Sequence, residues 1–296
     1  MPSDTRITGR NTAMRYGAST FIWVSPFSNT TLDLVDRIKE FGFDLIEICI
    51  EDPDTIDPSA IRARVTSVDL GVTVCGAFGP DRDLSSEDAS VRKAGLSYLR
   101  RCIDLAQDLG SPFVSGPMYA AVGNTCLLTE DARRAQWSRS VSGLKEAASY
   151  AAERSIKLAI EPLNRFETDL VNTVDQGIKM VDDVGAENVG LLLDTFHMNI
   201  EEKDIPAAIG RAAGQILEFH ACSNDRGTPG EDHLPWKAIV EALRGARYEG
   251  PIVIEAFTPE VHEIARAVSI WRPLAKSQDA LAKDGLSNLR AAFGHP

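Results

Sequence analysis

"KLAIEPLNRFET", residues 157–168, ends an apolar run on a carboxylate. Lys157 to Ile160 has the short, continuous apolar character of a strand covered on both faces. Glu161 closes the run, and Pro162 cannot donate to a strand ladder. Runs of this kind recur at 16–21, 45–50, 72–78, 112–115, 157–161, 189–194, 216–221 and 251–255, each bounded by Gly, Pro, Asp or Asn. Amphipathic segments alternate with them. In "TTLDLVDRIKEFG", residues 30–42, Leu32, Val35, Ile38 and Phe41 share a face and a glycine ends the pattern. In "SVRKAGLSYLRRCIDLAQDLG", residues 90–110, the apolar face is Val91, Leu96, Leu99, Ile103 and Leu109. Four further amphipathic stretches lie at 137–155, 172–185, 203–214 and 235–250. Strand and helix units alternating eightfold, without a linker or a shift in composition, predict an α/β fold: a single-domain (β/α)8 TIM barrel. A doubly wound open sheet competes, but "ASTFIWVSPFSN" after the first strand carries no glycine-rich fingerprint.

The bulk properties bound the partners. The chain has 296 residues, 44% hydrophobic and 25% charged, with 43 acidic against 31 basic side chains and a net charge of -12. A phosphate backbone selects basic surfaces, so no nucleic-acid partner is expected. No apolar run reaches the length of a membrane span, and no membrane partner is expected. The five cysteines are scattered, with no CxxC pair, which fits reduced thiols in the cytoplasm better than a zinc knuckle or a disulfide framework. Residues 1–13 read as a polar N-terminal extension, and 14–296 as the barrel with a C-terminal helical tail.

In a barrel of this kind active sites form at the C-terminal ends of the strands. The fifth strand ends on Glu161, the sixth on Asp194, the seventh on His220 and the eighth on Glu255. Any one of these residues is as well explained by a helix cap or a solvated side chain. Four consecutive strands delivering metal-ligand types to one rim are harder to explain that way. Three carboxylates and an imidazole suit a hard divalent cation, Mn2+, Mg2+ or Co2+, better than a structural zinc. A cation also removes the repulsion that three converging negative charges would otherwise carry. On the loops after strands five, six and seven, Glu167, His197 and Arg226 are hydrogen-bonding groups suited to a polyol or carbonyl oxygen. Taken singly, a solvated loop side chain explains Glu167 or Arg226 equally well. Phe21, Trp23, Cys75, Phe78, Met118 and Tyr119, near the ends of the first four strands, read as core or as the wall of a small pocket.

The runs "MRYGASTFIW", "IEPLNRFET", "GLLLDTFHMNIEE", "FHACSNDRGTPGEDH" and "PIVIEAF" carry a resemblance. From about residue 14 to 257 the chain resembles the D-tagatose 3-epimerase family of ketose 3-epimerases. That family includes the D-psicose (D-allulose) and L-ribulose 3-epimerases and lies within the wider xylose-isomerase-like barrels. The spacings Glu161 to Glu167, Asp194 to His197 and His220 to Arg226 belong to that pattern. The resemblance implies a metal-dependent isomerase that interconverts C3 epimers of free ketoses through an enediolate. It implies Glu161, Asp194, His220 and Glu255 as metal ligands and Glu161 and Glu255 as the acid/base pair. Glu167, His197 and Arg226 would hold the C1–C3 end of the sugar, Mn2+ would be the cofactor, and the chain would form a homodimer or homotetramer. A sugar isomerase on the same scaffold, a hydroxypyruvate or aldose–ketose isomerase, is the nearest alternative. A lyase, a metal-dependent endonuclease and a non-catalytic sugar-binding protein are more distant ones. Five histidines and the acidic balance count against the endonuclease, and the presence of both glutamates against the last.

Overall fold

A computed structural model of the protein describes residues 14–294; the polar extension expected at 1–13 lies outside the described residues. Eight parallel strands close on themselves in sequence order. They are β1 (Tyr16–Ser19), β2 (Leu45–Ile50), β3 (Gly71–Gly76), β4 (Phe113–Gly116), β5 (Lys157–Ile160), β6 (Val189–Asp194), β7 (Ile216–His220) and β8 (Ile252–Ile254). Closure comes from β1 and β8, which pair Tyr16 with Ile252, Gly17 with Val253 and Ala18 with Ile254. Almost every strand residue is buried, as continuous apolar runs require when helices cover the outside and side chains fill the inside.

The helices are α1 (Asp33–Glu40), α2 (Pro58–Ser67), α3 (Ala89–Leu109), α4 (Glu130–Ala152), α5 (Val174–Val184), α6 (Thr195–Glu201), α7 (Ile205–Arg211), α8 (Trp236–Gly245), α9 (His262–Ala267) and α10 (Gln278–Phe293). Caps fix their ends. Asp88 accepts from Ser90 N at the start of α3, Thr173 and Gln176 form a capping box at α5, and Gly110 turns left-handed (φ 81°) to end α3. Helix α4 starts at Glu130 rather than at Trp137, because Thr129 caps it and Glu130 and Asp131 place negative charge at its first turn. Apart from α9 and α10, which lie in the expected helical tail, two helices have no counterpart among the amphipathic stretches of the sequence. Only Ile61 and Val65 of α2 are buried, so it carries little apolar periodicity. Helix α6 follows β6 with no loop: Asp194 both ends the strand and caps the helix, accepting from Phe196 N at 2.6 Å. In the tail, α10 buries Leu281, Leu286, Leu289 and Phe293 against its own barrel, and Asp279 accepts from Trp23 Nε1 at 2.9 Å.

Alternation along the strands layers the interior. On β7, Glu218 and His220 share the inward face; on β2, Glu47 and Cys49 do. Register places Asp194 directly opposite His220. The barrel also requires close backbone approach at Gly190 on β6, where a Cβ would lie 2.4 Å from the backbone oxygen of Gln215. Gly190→Ala is therefore expected to cost about 1–3 kcal/mol, as overpacking does. Urea unfolding measures it, and an unchanged midpoint would contradict the packing described.

Candidate active site

The residues singled out at the strand ends meet at the mouth of the barrel, and all are buried. Glu161 follows β5 and is 5% exposed, Asp194 ends β6 at 1%, His220 ends β7 at 0%, and Glu255 follows β8 at 6%. One ligand atom from each of Asp194, His220, Cys222 and Glu255 lies within 4.8 Å of the others. Glu161 joins a second such group, with Asp194 and His197. Asp194 is thus common to both, while Glu161 does not share one tight group with His220 and Glu255.

Arg226 fills the space between them. Its Nη1 donates to Asp194 Oδ2 at 2.7 Å and to Glu255 Oε2 at 2.9 Å, and its Nη2 lies 3.1 Å from His197 Nε2. The residue is left-handed (φ 65°), and its guanidinium stacks 4.1 Å from the ring centre of Phe196. His197 sits under the loop after β5. The backbone N–H of Asn164 donates to its Nδ1 at 3.1 Å, and on its other side Nε2 faces the guanidinium of Arg226, which can only donate. Burial brings the pKa of His197 down to about 3, so the ring stays neutral, with Nε2 3.5 Å from Glu161 Oε1. Asn164 Nδ2 also donates to Glu167 Oε1 at 2.8 Å, so one asparagine orients two of the expected substrate contacts. The Glu167 carboxyl is held above its usual range by burial.

The two glutamates are tuned apart. Burial, reinforced by the charge of Glu255, pushes Glu161 well above the usual carboxylate range. Burial would raise Glu255 as well, but Arg226 and His220 outweigh it and bring Glu255 down to about 2. Both carboxylates line a cavity of about 340 Å³ together with Glu167, His197 and Arg226. Phe21, Cys75 and Phe78 form part of its wall, as expected. Trp23, Met118 and Tyr119 do not: Trp23 is held by Asp279, and the fully buried Tyr119 donates to Val171 O. The loop after β4 is tied over the pocket, with Val122 N donating to Phe78 O at 2.9 Å and Gly123 N to Glu167 O at 2.7 Å.

Sequence reasoning passed over two carboxylates. Glu47 and Glu218 are both 0% exposed and lie one layer beneath the rim, with Glu47 Oε2 2.9 Å from His220 Nε2. Burial, then the charge of Glu47, moves Glu218 up to about 8. The signal was present: each glutamate interrupts an apolar strand, in "LIEICI" and "ILEFH", where a charge almost never sits without a partner.

With this geometry in view, comparison with known proteins is decisive. Residues 35–291 match the model of the xylose isomerase-like TIM barrel family. A probable ketose 3-epimerase of Synechocystis sp. is 36% identical over 280 residues, covering 95% of this chain and 97% of the relative. An L-ribulose 3-epimerase of Mesorhizobium japonicum is 36% identical over 272 residues, covering 91% of each. A solved structure of an L-ribulose 3-epimerase superposes with a TM-score of 0.90 at 33% identity, covering 95% of both chains. The chain belongs to the xylose isomerase-like TIM barrel family, in its ketose 3-epimerase branch. Membership makes it an isomerase of the epimerase class. Among the described residues no helix is long and apolar enough to cross a membrane.

For an epimerase of this family the donor set fits a hard divalent cation. His220 Nδ1 is buried without a hydrogen-bond partner and lies 3.6 Å from Glu255 Oε2, so it is a nitrogen donor free to ligate. Cys222 is the one soft atom in the group. Its Sγ donates to Asp194 Oδ2 at 3.2 Å, and burial and the nearby Asp194 hold its pKa well above the usual thiol range. A divalent cation at 100 times its Kd is expected to stabilise the fold by about 2.7 kcal/mol, and Asp194→Ala to abolish that increment. Thermal melts with and without MnCl2 measure it; an unshifted wild-type melt would contradict the fit.

Proposed function

We propose that the protein is a metal-dependent ketose 3-epimerase acting on free ketoses of the D-tagatose, D-fructose/D-psicose and L-ribulose type. The observation that carries this reading is the pair Glu161 and Glu255. Two buried carboxylates line one small cavity, and their surroundings drive their proton affinities in opposite directions, as an acid and a base working in one site require. The cavity is of a size to enclose a monosaccharide, and apolar wall with a few convergent polar groups is the usual make-up of such a pocket.

Epimerisation at C3 removes the proton next to the C2 carbonyl and returns one to the opposite face. In this reading Glu161 and Glu255 flank C3. One carboxylate takes the C3 proton, the carbonyl π electrons move onto O2 to give an enediolate, and the other glutamate, protonated, delivers its proton to the far face. The roles exchange with the direction of reaction. His197 and Arg226 hold the oxygens at the C1–C3 end, and Glu167 accepts from a hydroxyl there. Asp194 and His220 lie beneath the cavity wall, and with Glu161 and Glu255 they would hold the metal. Mn2+ suits this oxygen-rich set best, with Mg2+ or Co2+ as alternatives. When bound, the cation stabilises the negative charge that develops as the proton leaves. The reading also carries the cytoplasmic setting and the homodimer or homotetramer that the sequence resemblance implies.

Incubation with Mn2+ and D-fructose, D-tagatose or L-ribulose is expected to yield the C3 epimers, read by chromatography; aldose products alone would favour the sugar-isomerase alternative. Glu255→Gln is expected to lower kcat by about 10²–10⁴-fold while only partly weakening Mn2+ binding. Near-normal turnover in that variant would remove Glu255 from the acid/base pair.

A further inference from the structure

We infer that Glu47, deep in β2, is the positioning residue that aims His220 at the metal. The inference rests on the proposed metal role of His220 and goes beyond it to a residue in another strand, 173 positions away in the chain. His220 is fully enclosed, and its two nitrogens have different surroundings. Nε2 points down the barrel to Glu47 Oε2 at 2.9 Å, and Nδ1 points toward Glu255 Oε2 at 3.6 Å with no hydrogen-bond partner. A carboxylate can only accept, so Glu47 assigns the ring proton to Nε2 and leaves the Nδ1 lone pair on the side where Asp194 and Glu255 converge.

The cost of this arrangement argues for its purpose. Glu47 is a 0% exposed carboxylate on a strand that is otherwise apolar, and its Oε1 has no partner. Glu218, the other acid of the layer, has no partner at either oxygen and lies 3.8 Å from His220 Nε2, too far to hold the ring. Buried carboxylates left so poorly satisfied destabilise a fold, whereas an aliphatic residue would suit β2 at no such cost. What Glu47 does supply is ring orientation, a more basic Nδ1 and negative charge behind the ligand, which are the contributions of a carboxylate that supports a metal-bound histidine.

The test is a titration of Mn2+ alone into the wild type, Glu47→Gln and Glu47→Leu, followed calorimetrically and by the spin resonance of free Mn2+. Loss of such a partner typically weakens metal affinity by about 10–100-fold. That loss is expected for Glu47→Leu, with Glu47→Gln intermediate because it keeps an acceptor and drops the charge. The isosteric Gln variant also decides the matter should the Leu variant not fold. In a His220→Ala background Glu47→Leu is expected to cost nothing further, since Glu47 acts only through that ring. Unchanged affinity in both variants, or the same loss with His220 absent, would overturn the inference. Ketose turnover by the wild type is scored in parallel. A wild type that binds Mn2+ but turns over no ketose removes the proposed reaction and leaves the Glu47 result standing. A wild type that binds no Mn2+ overturns both.

Discussion

Buried negative charge is the constraint on which this barrel is arranged. Glu161, Asp194 and Glu255 converge at one rim, all nearly inaccessible, with Glu47 and Glu218 one layer below. In a low-dielectric interior such a set persists only when matched by positive charge and hydrogen bonds. Arg226 provides much of that match through one nitrogen shared by Asp194 and Glu255, and Glu47 accepts a hydrogen bond from His220 Nε2. The compensation is uneven. Glu255 is paired with Arg226 and its proton affinity falls, whereas Glu161 is left to burial and to its neighbour's charge and its proton affinity rises. The difference in proton affinity between the two glutamates thus follows from where one guanidinium sits.

The scaffold serves that placement. Parallel strands in register bring Asp194 opposite His220, and alternation turns both inward. Helix α6 begins on Asp194 itself, so one carboxyl oxygen is spent capping and the other faces Arg226. Asn164 joins the loop after β5 to His197 on α6, and Arg165 anchors the same loop to Glu201 at the far end of that helix. Rigid strand ends and short, doubly tied loops hold several polar side chains in one geometry, and catalysis by orientation depends on such rigidity.

Much of this was legible in the chain itself. Apolar runs ending on Glu161, Asp194, His220 and Glu255 pointed to the barrel and to the rim where these four side chains meet, because a charge at the end of a buried strand has few places to go. Helix α2 was not legible, since two buried anchors leave almost no periodic signal. Nor was the order of the site: that Arg226 lies between Asp194 and Glu255, or that Glu161 stands apart, depends on a left-handed residue and a side-chain path that no spacing encodes. Glu47 and Glu218 were visible as letters yet read as strand, because a glutamate inside an apolar run acquires meaning only once the strand opposite is known. Trp23 and Tyr119, read as core or wall, fall on the core side of that choice and are held by tertiary hydrogen bonds away from the pocket.

The central claim is that this pair of glutamates moves a proton at C3 of a ketose. Incubating the enzyme with Mn2+ and a single ketose in D2O, and locating the deuterium by NMR, tests it most directly. The account predicts deuterium at C3 of substrate and product, with C1 remaining protonated. An aldose accumulating with deuterium at C2, and none at C3 of any ketose, would contradict it.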